Sequence, residues 1–299
     1  MGRCRFDAIL YEWMIIQKET EDSIITMDVF MRSLIKDCSV IFMMCSADRF
    51  RNKGIVENLK LLSEKLEKNG INNMLGKVLV ITGGKADLEF VREYTNSMEY
   101  NTVVCADSGL NTAYRLGIPV QYFMGDFDSV DENILEEYRT GTVAGSESCE
   151  WVRYPKEKDY VDTQLVMEWI LEKGASEIHI LGATGGRLDH FLANINILML
   201  PLRKGVPAYI VDSQNRIRLM DETLQIKRDE FYGKYLSLLP LTTQVTGVTL
   251  RGLKYLIEDY TLEVGIARAI SNEIAENSDI AQIQIRSGVL IVVESKDRI

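Results

Sequence analysis

Histidine is nearly missing: the chain has two in 299 residues. Zinc clusters with imidazole ligands and Ser/His/Asp triads therefore have little material. His179 alternates within a strand-like run and is expected to pack in the core, while His190, beside Asp189 at a loop-to-helix junction, has the better claim to a site. The five cysteines, at positions 4, 38, 45, 105 and 149, form no Cys-x-x-Cys pair. Free thiols and a reducing cytoplasm are expected for such a chain, in which no signal peptide is read. Long apolar runs are absent too. The longest near the N-terminus, Val40 to Cys45, falls far short of the roughly 20 residues a spanning helix needs, so no membrane segment is expected. Basic residues are outnumbered 34 to 44, a net charge of -10, which argues against a nonspecific binder of nucleic-acid backbones. An anionic ligand would then need local help from glycine loops, a few basic side chains or a metal ion. Neither a Walker A loop nor a G-x-G-x-x-G fingerprint occurs.

Residues 1–74 lack proline altogether, yet hold seven of the twelve methionines and three of the five cysteines. Their eleven basic and eleven acidic side chains cancel, so the whole net charge lies in residues 75–299. The run at 40–45 reads as a strand, and Ile55, Leu59, Leu62 and Leu66 lie on one face of a helix stopped by Gly70. Two elements make no independent core. The segment is read as an N-terminal extension of unknown role: an appended layer, a fusion remnant, or sequence upstream of a real start at Met74.

From Lys77 the pattern becomes regular. "KVLVIT", "TVVCA", "VQYFM", "EWVRY", "EIHIL" and "PAYIV" are Val/Ile-rich runs, most of them separated by helical stretches such as "ADLEFVREYTNSM", "LNTAYRLG" and "VDTQLVMEWILEKG". This alternation predicts βαβ units and a mostly parallel sheet covered on both faces. After about Asp212 the helices stop, and "RIRLMD", "TLQIKR", "YLSLLPL", "VTLRGL", "AQIQIRSG" and "VLIVVES" predict an all-β sandwich with Arg286 to Gly288 near a closing hairpin turn. Three segments follow: 1–74, 75–211 and 212–299.

Ligands of open parallel sheets gather at the carboxyl ends of the strands. Here those ends carry Gly83-Gly84, Asp107-Ser108-Gly109, Gly125-Asp126-Phe127-Asp128-Ser129, "KEKDYVD" and "GATGGRLDH". Each has an ordinary reading. Asp107 suits a helix cap, and Ser129 or Asp131 can start the helix "ENILEEYRT". Asp126 and Asp128, two apart in extended chain, would face one side, where their repulsion calls for a cation; hard oxygens of this kind suit Mg²⁺. Asp159 and Asp162, three apart at a helix start, either answer the helix dipole or add a third ligand, with Lys156 and Lys158 beside them for a phosphate. Gly182, Gly185 and Gly186 let backbone N–H groups approach an anion, and Arg187 can fork onto phosphate or pair with Asp189.

Taken in order, "ADSG" (106–109), "GDFDS" (125–129), "KDYVDTQ" (158–164), "GATGGRLDH" (182–190), "GLKY" (252–255) and "SNE" (271–273) resemble the bacterial type of thiamine pyrophosphokinase. The resemblance covers about residues 75–297 and departs from the family at Val161, where threonine is usual, and at Ala269, where glycine is usual. It implies a Rossmann-like α/β nucleotide-binding domain followed by an all-β sandwich, working as a homodimer. It also implies transfer of a pyrophosphoryl group from ATP to the hydroxyethyl oxygen of thiamine, giving thiamine diphosphate and AMP. By similarity, Asp126, Asp128 and Asp162 hold Mg²⁺ on the ATP phosphates. Gly83, Gly84, Asp107, Ser108, Lys158, Asp159 and the Gly185-Gly186-Arg187 turn surround the nucleotide, and Asp107 or Asp189 are candidates to take the hydroxyl proton. Ser271 and Asn272 would contact thiamine, a cation suited to an acidic protein, between subunits. Two other readings of the acid pair are a metal-dependent nucleotide-sugar glycosyltransferase and a nucleotide or thiamine sensor without turnover.

Overall fold

A computed structural model describes residues 74–153 and 162–297. These belong to one of the two units into which the chain divides, Asn73–Ile299. The strand and helix expected before Gly70, together with Lys156, Lys158, Asp159 and Val161, lie outside the described residues.

Six strands and five helices alternate as the hydrophobic pattern predicts. They are β1 (Gly76–Ile81), α1 (Leu88–Asn96), β2 (Thr102–Ala106), α2 (Gly109–Leu116), β3 (Tyr122–Gly125), α3 (Glu132–Arg139), β4 (Glu150–Arg153), α4 (Asp162–Glu172), β5 (Ala175–Leu181), α5 (Leu188–Ile197) and β6 (Ala208–Val211), with a short α6 (Met199–Arg203) before β6. All six strands are parallel, in the order β4-β3-β2-β1-β5-β6. Burial on both faces explains their nearly unbroken apolar runs. Val78, Val80, Val104 and Met124 turn to one side, against Val166, Met167 and Ile170 of α4 and Ile195 of α5. Leu79, Ile81, Cys105 and Phe123 turn to the other, against Val91 of α1, Leu110 of α2 and Leu135 of α3.

Local chemistry sets the helix ends. The Asp87 carboxylate accepts the N–H groups of Glu89 and Phe90 at 3.1 and 3.3 Å to start α1. Asp131 accepts that of Asn133 at 2.9 Å to start α3, and Gly117 closes α2 with φ 65°. His179 is buried on β5, its Nδ1 2.8 Å from the Tyr94 hydroxyl and its Nε2 2.7 Å from Glu177 Oε1.

The sheet does not stop at residue 211. β7 (Asn215–Met220) turns back antiparallel to β6, and β13 (Leu290–Ser295) and β9 (Tyr235–Pro240) extend it to nine strands. A separate antiparallel sheet runs β11 (Tyr260–Glu263), β10 (Gln244–Arg251), β12 (Ile280–Gln284) and β8 (Leu224–Lys227). Leu236, Leu238, Leu290 and Val292 of the long sheet pack with Val245, Leu250, Leu262 and Ile283 of the short one, which makes the sandwich. One expectation fails here. Arg286 to Gly288 makes no hairpin turn, because β12 pairs with β10 and β8 while β13 pairs with β7 and β9, so the chain crosses between sheets at that point. Among the described residues no helix is long and apolar enough to cross a membrane.

Candidate active site

The chain runs outward from β1 to β4, then returns to the other side of β1 for β5, so the β1/β5 boundary is the switch point where a crevice opens at the carboxyl ends. Glycine lets these ends close up. A Cβ on Gly84 would run into the carbonyl oxygens of Gly182 and Gly185, and one on Gly185 into that of Lys85, so the turns after β1 and β5 touch backbone to backbone. On the other side of β1, the Ser108 hydroxyl donates to the Gly83 carbonyl at 3.2 Å. A cavity of about 1070 Å³ opens beside these turns, with Lys85, Asp87, Gly182, Thr184, Asp212 and Lys296 on its wall.

One strand further out, Asp107 follows β2 with φ 47° and donates its N–H to the Met124 carbonyl at 3.1 Å. Its carboxylate lies against Gly125, where a Cβ would collide with Oδ1. Ser108, not Asp107, holds the cap position of α2, and no side-chain bond caps that helix. Asp126 is half-buried and Asp128 exposed. The idea that extended chain turns both to one side does not hold, since β3 ends at Gly125 and Phe127 adopts a left-handed φ of 73°. What joins the pair is a tight turn, in which the Asp128 N–H donates to Asp126 Oδ1 at 3.1 Å. A second cavity, about 650 Å³, adjoins this turn and is lined by Asp126, Asp128, Arg139, Glu147, Trp151 and Arg153.

Asp162 opens α4. Because α4 links two parallel strands, its N-terminus lies at the carboxyl edge of the sheet, the edge that carries the other acids. The Asp162 side chain is outside the described structure, and among the described residues no three His, Cys, Asp or Glu side chains cluster as a metal site.

Arg187 takes the cap position of α5 after Gly186, itself at φ 117°. Of its two readings, the ion pair is present: Nε lies 3.1 Å from Asp189 Oδ1, with a second contact to Oδ2, and both side chains are exposed. The pairing holds the Asp189 carboxyl below its usual range and the guanidinium above its own. Asp189 is thus a poor proton acceptor while Arg187 grips it. His190, also exposed, donates its main-chain N–H to Asp189 at 2.9 Å.

At the sandwich end, Ser271 has φ 54° and donates its N–H to the Ser237 hydroxyl at 2.9 Å. Asn272 is buried and its amide is engaged locally: Oδ1 accepts from the N–H groups of Tyr255 at 3.0 Å and Glu273 at 2.9 Å, and Nδ2 donates to the Tyr255 carbonyl at 2.7 Å. This bond joins the "GLKY" and "SNE" segments.

Two family models match the chain in order: "Thiamin pyrophosphokinase, catalytic domain" over residues 94–210 and "Thiamin pyrophosphokinase, vitamin B1 binding domain" over residues 221–290. A thiamine pyrophosphokinase of Bacillus subtilis is 32% identical over 221 residues, which cover 73% of this chain and 98% of that relative. The chain belongs to the thiamine pyrophosphokinase family. The crystal structure of a Bacillus subtilis thiamine pyrophosphokinase superposes with a TM-score of 0.65 at 28% identity, covering 74% of this chain and all of that one. One from Geobacillus thermodenitrificans gives 0.62 at 27% identity, covering 74% and 98%.

Within this thiamine pyrophosphokinase family member, β1 and its Gly83-Gly84 turn precede the stretch matched by the catalytic-domain model. Of the two departures from the family pattern, Ala269 is buried and its carbonyl accepts from the Leu238 N–H at 2.7 Å, so its methyl group is accommodated in the sandwich. Arg153, Arg139 and Lys85, basic residues that line the two cavities, are not among the residues expected at the site. Arg153 and Lys85 had a legible signal: one stands next to last in the predicted strand "EWVRY", and the other directly follows the Gly83-Gly84 turn. Arg139 had none, because its closeness to the acidic turn depends on how α3 folds back.

Proposed function

We propose that the chain transfers a pyrophosphoryl group from ATP to the hydroxyethyl oxygen of thiamine, giving thiamine diphosphate and AMP. The observation that carries this is the match to a thiamine pyrophosphokinase over 98% of its length, with catalytic and vitamin-binding models in order on one chain. A glycosyltransferase or a sensor without turnover has no such support.

In this reading the ATP phosphates lie over the joined turns after β1 and β5, against Gly83, Gly84, Gly185 and Gly186, with Asp107, Ser108, Lys158 and Asp159 completing the nucleotide site. Arg187 turns from Asp189 to the phosphates, where a forked contact binds both tightly and directionally. Asp126, Asp128 and Asp162 hold Mg²⁺. The donor set fits a hard cation: carboxylate oxygens on one tight turn, one of them at an exposed rim, with a third acid opening α4 on the same edge. Bound there, Mg²⁺ supplies neutralisation of phosphate charge. The residues supply the rest, which is positioning: in-line attack at the β-phosphorus needs the thiamine oxygen, phosphorus and departing AMP oxygen aligned, and Arg187 meets the charge that moves onto AMP. With Arg187 on the phosphates, Asp189 is released from the pairing that lowers its carboxyl, and Asp107, Asp189 or water accepts the hydroxyl proton.

Thiamine sits between the subunits of a homodimer, with Ser271 reaching it from the partner's sandwich domain and Asn272 holding that loop on Tyr255. A cytoplasmic setting supplies both substrates. The test is direct: incubation with ATP, Mg²⁺ and thiamine should yield AMP and thiamine diphosphate in equal amounts. ADP, or AMP formed without thiamine, would remove the assignment.

A further inference from the structure

We propose that Phe127 is a positioning residue for the acidic turn, its ring seated on Phe123 and Trp151 so that Asp126 and Asp128 keep the arrangement that receives the nucleotide's metal; the inference rests on the pyrophosphoryl-transfer reading of that site. Phe127 stands at φ 73°, a conformation that a bulky side chain rarely adopts and that persists only where its surroundings over-determine it. Glycine would take it freely. The reason for a phenylalanine there is the ring. Its centroid lies 4.5 Å from that of Phe123 and 5.2 Å from that of Trp151, and those two rings are 5.3 Å apart, so the three close into a mutual cluster. Phe123 and Trp151 are register partners on β3 and β4, which makes the seat part of the sheet. The Arg153 guanidinium lies over the Phe127 ring at 5.7 Å.

The left-handed residue stands between the two acids, inside the loop closed by the Asp128 N–H on Asp126 Oδ1 at 3.1 Å. The ring thus anchors the one residue whose backbone angles decide where both carboxylates stand. It touches no reacting atom.

Phe127→Gly isolates the ring, since glycine accepts the backbone conformation at no steric cost. The measurement is the dissociation constant of Mn²⁺, followed by water-proton relaxation with the full chain and α,β-methylene-ATP, whose α–β bridge is not cleaved. Mg²⁺ half-saturation, kcat and the KM for thiamine are measured alongside. The expected result is Mn²⁺ binding weakened about 10–100-fold, the range typical for residues that orient metal ligands. Mg²⁺ half-saturation should rise in parallel, KM for thiamine should stay put, and Phe127→Tyr should keep both metal constants at their wild-type values. Trp151→Leu, which removes the seat and leaves residue 127 alone, should shift Mn²⁺ binding the same way and decides the matter if Phe127→Gly does not fold. Wild-type Mn²⁺ affinity in a folded Phe127→Gly chain overturns the proposal. Failure of the wild type to make thiamine diphosphate overturns the reaction assignment instead, and the Mn²⁺ constants still decide the positioning role.

Discussion

Asp128 and Asp131 stand three positions apart, and only one of them is assigned to chemistry. Asp128 is exposed at the rim of the acidic turn, so Asp128→Asn keeps the shape, removes the charge and should leave the fold intact. Thiamine diphosphate formation is expected to fall by about 10²–10³-fold, as when one charge-stabilising group is lost, with an unchanged circular dichroism spectrum. A second residue-scale effect concerns acid stability. Burial pushes the pKa of His179 down, and the hydrogen bond from His179, helped by Lys77, holds the Glu177 carboxyl at about 2. Both groups are harder to protonate folded than unfolded. As the pH falls, the unfolded chain therefore takes up more protons and stability drops, below about 6.5 for the imidazole and between 4.5 and about 2 for the carboxylate. His179→Gln should flatten the upper part of this decline in a plot of urea midpoint against pH.

At the scale of elements, α3 owes its start to Asp131, whose loss should cost about 1 kcal/mol, roughly 2–4 °C in Tm for a chain of this size. Asp131→Ala should leave kcat in place, so calorimetry and the AMP assay together separate it from Asp128→Asn. Elements with strong periodicity were legible in the residues: β2 occupies the very run "TVVCA", and α1 and α4 fall inside their predicted stretches. β11 was not, because its four residues bury only Leu262 and carry too short a pattern. The turn at Arg286 to Gly288 was misread for a different reason. Gly288, at φ 97°, signals a chain reversal but not which strand the chain meets next, and β13 meets β7 and β9 across long sequence separations.

At the scale of the whole molecule, the catalytic and vitamin-binding segments share one nine-stranded sheet, joined where β7 pairs with β6, and inside the second segment Arg216 of β7 meets the fully buried Glu294 of β13 at 2.6 Å. In the proposed dimer each site takes its acids from one subunit and Ser271 from the other. Asp128→Asn and a Ser271 variant, each inactive alone, should then complement when unfolded and refolded together. Half the dimers would be mixed with one intact site in two, giving about one quarter of wild-type activity for a two-fold symmetric pair. No recovery would place Asp128 and Ser271 in the same subunit's site. The residues by themselves determined the run of βαβ units, the family motifs and the acids and glycines at the strand ends, because periodicity and composition are local properties. Only the tertiary structure decided that the sheet continues past residue 211 and that Gly84 and Gly185 press the β1 and β5 turns together. It alone decided that Arg187 closes on Asp189, and that Asp126 and Asp128 are joined by a left-handed Phe127 rather than by strand alternation. Each of these depends on which strand lies beside which, and that is settled by packing between residues far apart in the chain.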